Sequence, residues 1–341
     1  MDRRDFLRTA AIATTPALLG LPATSTMLEA AEASYGDLTM QALATDHYRL
    51  IFTPDQPRPL RLLQLTDTHF HPGDSTNDAT DGMLRTIVAR EKPDFVVHTG
   101  DFVNNDSKDK VEWQGMEILN GLGVPWTLCF GNHDYPVHKA PGSLPLEEIR
   151  QRMKNGFQGF VDEPSGRHYC YRYDVHAEPV PAEAGGEAKP TACLFFFQVG
   201  YATGDRRISD PQLAWLTRQL EQDAKRGIDA PITVFVHIPL LEYHQLFESG
   251  KAKGQRGEAV CYDSDTGESF EKFSASKRVH GVFCGHDHVN NFAGLWQDVE
   301  LAYGRVTGWG GYGPTDWQRG GRLLSLDLQA PRAKLTHAEV F

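Results

Sequence analysis

Short apolar runs that end abruptly in polar residues recur along this chain. Each run is rich in β-branched or aromatic side chains and is bounded by Gly, Pro or Asp. This pattern is typical of buried β-strands. The runs that carry polar residues at their carboxyl ends are LRLLQLTDTH, DFVVHTGD, WTLCFGNHD, ITVFVHIP and VHGVFCGHDH. We therefore predict several strands that share one chemical feature, a polar cluster immediately after the last apolar position.

Helical patterns separate several of these runs. The predicted helices are DGMLRTIVARE, KVEWQGMEILNGLG and SDPQLAWLTRQLEQDAKRG. In the last of them, Ser209 and Gln212 have the spacing of a capping box, and Gly227 marks the end of the helix. Strands that alternate with helices predict an α/β fold with largely parallel pairing in its core. Ligands bind such sheets just beyond the carboxyl ends of the strands, where every polar cluster lies.

Two further pairs of apolar runs predict antiparallel strands. RHYCYRYDV and ACLFFFQVGY flank a link rich in Pro, Ala and Gly, and LLSLDL is followed closely by AKLTHAEVF. A long Pro- and Gly-rich link indicates a loop between two strands. We therefore expect one continuous domain, residues 34–341, with mixed sheets of the α/β (α+β) class.

The first residues have the features of an export signal. A twin arginine, Arg3 and Arg4, is followed by a mild, Ala-rich apolar stretch that ends near Ala33. This segment resembles a bacterial twin-arginine signal peptide over residues 1–33. The resemblance implies the twin-arginine export machinery as a partner and a periplasmic or secreted location. The stretch is short and interrupted by prolines, so we expect no permanent membrane span.

Charge and cysteine usage narrow the possible functions. The net charge of −11 argues against nucleic acid as a stable partner. Three cysteines lie within apolar runs and are expected to be buried: Cys129, Cys193 and Cys284. Cys170 and Cys261 lie beside more polar residues, and the sequence leaves open whether they form a disulfide. The absence of Cys-x-x-Cys excludes zinc-ribbon and thioredoxin-type motifs.

The residues at the strand ends are candidate metal ligands. They are Asp67, His69, Asp101, Asn132, His237, His286 and His288. Oxygen and imidazole ligands without thiolate suit Zn, Fe or Mn. Seven ligands exceed what one tetrahedral ion needs, but they suit two ions that share a bridging carboxylate.

The order of these motifs resembles one family. The motifs D-x-H, GD, GNHD, a strand-end His and GHDH follow one another from Arg61 to Asn290, as they do in calcineurin-like metallophosphoesterases. VHIPLLEY and YGRVTGWGGYG are similar to the small single-domain branch related to purple acid phosphatases. The resemblance implies a four-layer αββα sandwich that holds two metal ions.

Roles for individual residues follow from the resemblance by position. Asp67, His69 and His288 would hold the first ion, and Asn132, His237 and His286 would hold the second. Asp101 would bridge the two ions. His133 would donate a proton to the leaving oxygen, and Asp134 would orient His133.

The expected function is that of an exported phosphomonoesterase acting on small phosphate esters. Two ions lower the pKa of a bridging water, and the resulting hydroxide attacks the phosphorus. The motifs also suit a phosphodiesterase acting on nucleotides or glycerophosphodiesters. A non-catalytic metal-binding relative is the third alternative. The two enzymes share these motifs, so only the shape of the pocket separates them. The presence of all seven ligands and His133 argues against the third alternative.

Several neighbouring residues have more than one interpretation. His71 and His98 are either supporting contacts of the site or ordinary polar residues. Residues 242–268 are a candidate rim, in which Lys251, Lys253 and Arg256 contact either phosphate or only solvent. GWGGYGPTDWQRGG is either a turn or an aromatic pocket wall. Asn104 stands where purple acid phosphatases carry the tyrosine that binds ferric iron, so a ferric ion should be held less firmly here.

Overall fold

The structure of the chain is a computed structural model. It describes residues 32–44, 46–71, 73, 75–104, 115–134, 153, 170–180, 188–199 and 206–341. The predicted signal segment lies outside this part of the chain, except for its last two residues. Within the described residues, no helix combines the length and the apolar character needed to cross a bilayer.

Two β-sheets form the centre of the molecule. The larger sheet has the strand order β1-β2-β3-β7-β8-β9-β10-β12-β11, and the smaller has the order β14-β13-β4-β5-β6. The strands are β1 (Glu32–Tyr35), β2 (Leu38–Ala44), β3 (His47–Phe52), β4 (Leu60–Leu65), β5 (Phe95–His98), β6 (Trp126–Leu128), β7 (Cys170–His176), β8 (Ala192–Phe197), β9 (Ile232–Val236), β10 (Val279–Cys284), β11 (Ala293–Trp296), β12 (Val299–Tyr303), β13 (Gly321–Asp327) and β14 (Lys334–Val340). The expected boundary near Ala33 falls inside β1, which pairs with β2.

Both sheets mix parallel and antiparallel pairs. In the larger sheet, β8, β9, β10 and β12 are mutually parallel neighbours. In the smaller sheet, β4, β5 and β6 are parallel. The pairs β7–β8 and β13–β14 are antiparallel, as the sequence predicted. The expected fold class, mixed α/β, is confirmed.

The helices cover the outer faces of the two sheets. They are α1 (Ser75–Glu91), α2 (Gly115–Asn120), α3 (Asp210–Lys225), α4 (Leu241–Glu248) and α5 (Glu268–Ser276). On the larger sheet, Trp215 of α3 packs on Phe195 of β8, with ring centroids 5.5 Å apart. On the smaller sheet, Leu84 of α1 belongs to the same buried cluster as Val96 of β5. A third cluster lies between the sheets, where the ring of Phe95 meets that of Tyr173 at 5.6 Å. The order of layers is therefore αββα.

Local details correct or complete the sequence predictions. Helix α1 begins at Ser75 rather than near Asp81, because the polar residues Asn77 and Thr80 supply the buried face of its first turns. Apolar periodicity cannot detect such a face. Helix α3 has the predicted cap, in which the Ser209 N–H donates to Gln212 Oε1 at 2.9 Å. All five cysteines lie in the described part of the chain as free thiols, so Cys170 and Cys261 form no disulfide.

Candidate metal centre

The candidate ligands lie on loops that follow the parallel strands. Asp67 and His69 follow β4, Asp101 follows β5, and His286 follows β10. All four adopt positive φ angles of 53°, 45°, 52° and 77°, respectively. Non-glycine residues rarely adopt this conformation, and its cost persists only where the surrounding structure enforces it. The turns bring the polar side chains back over the strand ends, where they meet.

A first group of ligand atoms converges around His69 and His288. The Nε2 atoms of these two residues are 3.1 Å apart. Asp67 Oδ1 lies 3.3 Å from His288 Nε2 and 3.9 Å from His69 Nε2. The three residues are almost completely buried, with at most 3% of their surface exposed. The structure therefore brings together the three residues that the sequence assigned to one ion.

A second group converges around His237. Its Nε2 atom lies 3.1 Å from Asn132 Oδ1 and 3.2 Å from Asp101 Oδ2. His286 joins Asp101 and His237, because ligand atoms of all three lie within 4.8 Å of one another. Asp101 Oδ2 also lies 3.6 Å from His69 Nε2 of the first group. Asp101 thus connects the two groups, as its predicted bridging position requires.

Backbone carbonyls orient two of the imidazole rings. His237 Nδ1 lies 2.8 Å from the Thr99 carbonyl, and His288 Nδ1 lies 2.9 Å from the Tyr312 carbonyl. A carbonyl only accepts hydrogen bonds, so each Nδ1 carries the proton. In the neutral ring the Nε2 lone pair then faces the centre of the site. Metal-binding histidines usually have a partner of this kind on the opposite ring nitrogen.

Burial and neighbouring charge divide the imidazoles into two classes. Burial lowers the pKa of His69 to about 3 and that of His286 to about 4. Burial also opposes the charged form of His237, but the adjacent Asp101 carboxylate outweighs it and raises the pKa of His237 to about 10. The same contact holds the pKa of Asp101 well below its ordinary value despite burial. Without a metal, the centre of the site is therefore a buried Asp101–His237 ion pair.

The residues fit two metal ions. Asp67 Oδ1 is buried and has no hydrogen-bond partner of normal geometry among the described residues. A buried carboxylate oxygen in that position is costly unless a cation compensates it. The two groups supply imidazole nitrogens, carboxylate oxygens and one amide oxygen, which is a donor set that suits Zn, Fe or Mn.

His133 lies beside both groups without joining the second one. Its ring packs edge-to-face against His69, with centroids 4.9 Å apart, and its Nε2 lies 3.9 Å from Asp101 Oδ2. Its backbone N–H donates to Asp101 Oδ1 at 2.8 Å. The side chain is 23% exposed, whereas those of His69, Asp101 and His237 are at most 4% exposed. His133 can therefore reach both the site and a molecule that enters from solvent.

Asp134 acts on the backbone of two loops. Its Oδ1 accepts hydrogen bonds from the N–H groups of Phe102 and Val103, and its Oδ2 accepts one from Gly131. These contacts tie the loop that carries Asp101 to the loop that carries His133. These three hydrogen bonds go to the backbone of the two loops, and the orientation of His133 by Asp134 stays a prediction. Burial, with the charge of Asp101, raises the pKa of Asp134 to about 7, although the amide hydrogen bonds oppose this shift.

His71 and His98 both support the site rather than belonging to either group. His98 Nε2 lies 3.0 Å from Thr68 Oγ1, and its Nδ1 accepts a hydrogen bond from the Gly100 N–H. His71 Nε2 lies 3.0 Å from the Gly310 carbonyl and 2.6 Å from Asn104 Nδ2. Both histidines therefore fix the loops that carry ligands, which was one of the two interpretations.

The GWGGYG stretch, for which the sequence left open a turn or a pocket wall, closes one side of the site. A cavity of about 150 Å³ is lined by His69, Asp101, Asn104, His133, His286, His288, Gly310, Gly311 and Tyr312. The Tyr312 ring stacks on that of His288, with centroids 3.9 Å apart and planes 11° from parallel. The GWGGYG stretch is therefore a pocket wall. The concentration of glycine and aromatic residues was the available signal, but the sequence did not reveal which strands the loop covers.

Most of the candidate rim, residues 242–268, lies elsewhere. Arg256 pairs with Glu248 and covers the ring of Phe247, and Lys251 lies over the Trp296 ring. Both basic side chains therefore contact residues that do not line the cavity. Arg256 and Lys251 belong to a solvated loop. Two residues of this segment that the sequence analysis did not assign to the site approach it. Glu258 accepts a hydrogen bond from the Tyr312 hydroxyl, and Cys261 lies near His286.

Comparison with known proteins identifies the family. The model of the calcineurin-like phosphoesterase family matches residues 60–290, which include every candidate ligand. The chain belongs to the calcineurin-like phosphoesterase family. Members of this family are hydrolases that hold two metal ions, in agreement with the two groups of ligand atoms.

Curated relatives of this phosphoesterase include phosphatases and phosphodiesterases. It is 28% identical over 312 residues to probable inactive purple acid phosphatase 29 of Arabidopsis thaliana, covering 80% of this chain and 78% of that protein. It is 25% identical over 243 residues to a glycerophosphodiester phosphodiesterase of Enterobacter lignolyticus, covering 67% and 70%. Among solved structures, a dimetal phosphatase from Danio rerio matches with 14% identity and a TM-score of 0.49, covering 78% of this chain and 95% of that one.

Proposed function

We propose that this phosphoesterase hydrolyses small phosphate monoesters with two metal ions and acts after export from the cytoplasm. One observation carries the proposal: Asp101 belongs to the group of His237 and His286 and lies 3.6 Å from His69 of the other group, and the partly exposed His133 lies beside them. Asp67, His69 and His288 would hold one ion. Asn132, His237 and His286 would hold the other.

The protein's own residues prepare the substrate for cleavage. When bound, the two ions supply the charge that activates water and neutralises the phosphoryl oxygens. His133 faces the same cavity and would protonate the departing ester oxygen, which leaves poorly as an alkoxide. Asp134 would keep His133 in place, because it holds the adjoining loops by three backbone hydrogen bonds.

The size of the cavity favours a monoester. Its volume is only about 150 Å³, and Gly310 and Gly311 narrow it on one side by lying directly against the candidate ligands. A diester has a second organic substituent, for which the cavity would also have to provide space. The alternative, a phosphodiesterase, draws support from the similarity to a glycerophosphodiester phosphodiesterase.

A test with two chromogenic esters decides between these activities. Metal-free protein is supplied with Mn²⁺, Zn²⁺ or Fe²⁺ and assayed with p-nitrophenyl phosphate and with bis-p-nitrophenyl phosphate. The proposal predicts a higher kcat/KM for the monoester. A higher value for the diester would favour the phosphodiesterase. Absence of turnover of both esters by metal-replete protein would favour the non-catalytic alternative, which the names of the Arabidopsis relatives also raise.

The proposed export rests on the first residues. The twin arginine and the Ala-rich stretch would direct residues 1–33 to the twin-arginine machinery, leaving residues 34–341 as the catalytic domain. This pathway moves folded proteins, so the metal ions would be acquired before export. The site would then work in the periplasm or outside the cell.

A further inference from the structure

The wall of the cavity is built from a four-residue segment, Trp309–Tyr312, that lies directly on the metal ligands. A Cβ atom added to Gly310 would come within 1.9 Å of the His69 carbonyl oxygen, and one added to Gly311 would come within 2.3 Å of His288 Cε1. Both distances are too short for any side chain. The two glycines therefore allow the backbone to touch the ligands, and they place an aromatic residue on either side of the contact.

These two aromatic residues are unusually exposed for their size. Among the large apolar side chains of the described residues, three are exposed: Leu295, Trp309 and Tyr312. Leu295 lies on β11, outside the residues that line the cavity. Tyr312 lines the cavity, and 55% of its surface is nevertheless accessible. Since one face of its ring rests on His288, the exposure belongs to the opposite face and the edge.

The ring of Tyr312 is held rigidly in this position. Its hydroxyl lies 2.9 Å from both carboxylate oxygens of Glu258, and Glu258 also accepts a hydrogen bond from the Val289 N–H. The Tyr312 carbonyl accepts a hydrogen bond from His288 Nδ1. An exposed aromatic side chain that is fixed in advance loses little conformational entropy when a ligand stacks on it. The arrangement is that of a binding platform.

The organic part of a substrate would extend from the candidate metal centre towards the rim of the cavity. Candidate ligands and Tyr312 line the same cavity of about 150 Å³, so a substituent on a phosphoryl group held by the ligands would come close to Tyr312. On the side of Gly310 and Gly311, that rim presents the open face of Tyr312. A flat aromatic group would stack there, whereas a saturated group of the same size would gain only ordinary apolar contact.

We propose that Tyr312 is a specificity residue that selects phosphate esters with a planar aromatic ring in the leaving group. The proposal rests on the proposed phosphatase function and names the substrate class of the same site. The ring stacks on the open face of Tyr312 while the phosphoryl group occupies the cavity. Glu258 acts as a positioning residue by fixing the Tyr312 hydroxyl.

The test compares matched pairs of substrates by phosphate release. Benzyl phosphate and cyclohexylmethyl phosphate have leaving groups of similar size and basicity but differ in the planar ring. Adenosine 5′-monophosphate and ribose 5-phosphate make the same comparison for a ring attached through a sugar. For Tyr312→Ala, we expect the ratio of kcat/KM for the aromatic to the non-aromatic member to fall by about fivefold or more in at least one pair, mainly through KM.

Further variants separate stacking from a structural role. Tyr312→Leu keeps an apolar cover on His288 without an aromatic ring. Its kcat/KM ratio of aromatic to non-aromatic substrate should fall as that of Tyr312→Ala does. Tyr312→Phe keeps the ring and should retain most of the ratio. Leu295→Ala removes an exposed apolar side chain elsewhere and should behave as the wild type. Metal content is measured for each protein.

The outcomes distinguish the two levels of the proposal. If the Ala and Leu variants keep the wild-type ratio in both pairs, Tyr312 is not a specificity residue, even if overall turnover falls. If the kcat/KM ratio falls for one pair only, the site accepts a stacking ring that is linked to the phosphate as in that pair. This result also supports the binding platform. If the metal-replete wild-type protein cleaves none of the four esters, the proposed phosphatase function fails first, and the platform fails with it.

Discussion

The Nε2 atoms of His69 and His288 face each other at 3.1 Å, although 219 positions separate the two residues in the sequence. The opposite nitrogen of His288 donates to the Tyr312 carbonyl, so the neutral ring directs a lone pair towards His69. Asp67 Oδ1 adds a carboxylate oxygen 3.3 Å from the same nitrogen. A cation stabilises lone pairs that converge in a buried site, so this arrangement is suited to a metal ion.

Metal binding at neutral pH should release protons. In the metal-free protein the pKa of His237 is raised to about 10, mainly by Asp101 against the opposing effect of burial, so His237 is protonated at pH 7. A metal requires the neutral ring, so loading should release about one proton from this residue, and affinity should rise about tenfold per pH unit. Addition of Zn²⁺ to weakly buffered protein with a pH indicator measures the release. Loading without proton release would contradict the assignment of His237.

The same shift predicts how the metal-free protein depends on pH. The pKa of His237 lies above its ordinary value of 6.5 in the folded state, so the Asp101–His237 pair stabilises the fold fully below that value. The contribution is lost as pH rises towards about 10. Metal-loaded protein, in which His237 is neutral, should not show this loss, and it provides the control for thermal unfolding curves.

His133→Ala should separate chemistry from metal binding. The ring lies beside His69 and is 23% exposed, whereas the His69 side chain is 4% exposed, so removal of the His133 ring should leave both ions bound. Loss of a general acid typically reduces turnover by ~10²–10⁴-fold. The measurements are the metal content of the purified variant and its kcat with p-nitrophenyl phosphate.

Asp101→Ala is the contrasting variant for that experiment. It removes the carboxylate that both groups share, so metal content and activity should fall together. If His133→Ala lost its metal while Asp101→Ala retained two ions, the roles of the two residues would have to be exchanged.

Replacement of Arg3 and Arg4 by lysine should retain the protein in the cytoplasm. The twin arginine is an address read by a receptor, and a pair of like charge does not replace it. Fractionation of cells that express the variant, beside the wild type, measures the location. A normal periplasmic yield of the Lys–Lys variant would show that the segment is not a twin-arginine signal.

Iron-loaded protein should not be purple. Asn104 lines the cavity at the position where purple acid phosphatases carry a tyrosine, and its Nδ2 lies 2.6 Å from His71 Nε2. The hydroxyl of Tyr312, which also lines the cavity, is held by Glu258. Tyr135 lies outside the described residues. A visible spectrum after reconstitution with iron should lack the strong tyrosinate charge-transfer band. The presence of that band would mean that a tyrosine has become a ligand.

The sequence predicted the parts of the site that depend on local pattern. Strands β4, β5, β9 and β10 are short apolar runs, and parallel pairing aligns the carboxyl ends of β4 and β5 in the smaller sheet and those of β9 and β10 in the larger sheet. The division of the ligands into two groups was implied by the resemblance of the motif order to calcineurin-like metallophosphoesterases. In the same way, two pairs of successive apolar runs predicted the antiparallel pairs β7–β8 and β13–β14.

The parts that depend on long-range packing were not predictable. Tyr312 and Glu258 meet although 54 positions separate them, and no local pattern records such a contact. Asp134 neighbours His133 in the chain, yet its carboxylate turns to the backbone of residues 102 and 103 on another loop. Arg256 carries the charge expected of a phosphate contact, but the nearby Glu248 neutralises it. Charge and motif position thus indicate which chemistry is available, and only packing decides where it is used.

Titration of metal-free protein with Mn²⁺ tests the central claim most directly. In the proposed function, two ions held on either side of Asp101 would both be needed to hold a phosphoryl group and to activate water. Hydrolysis of p-nitrophenyl phosphate should therefore remain low through the first equivalent of metal and reach its plateau at the second. Full activity at one equivalent, or no activity at two or more, would contradict the account.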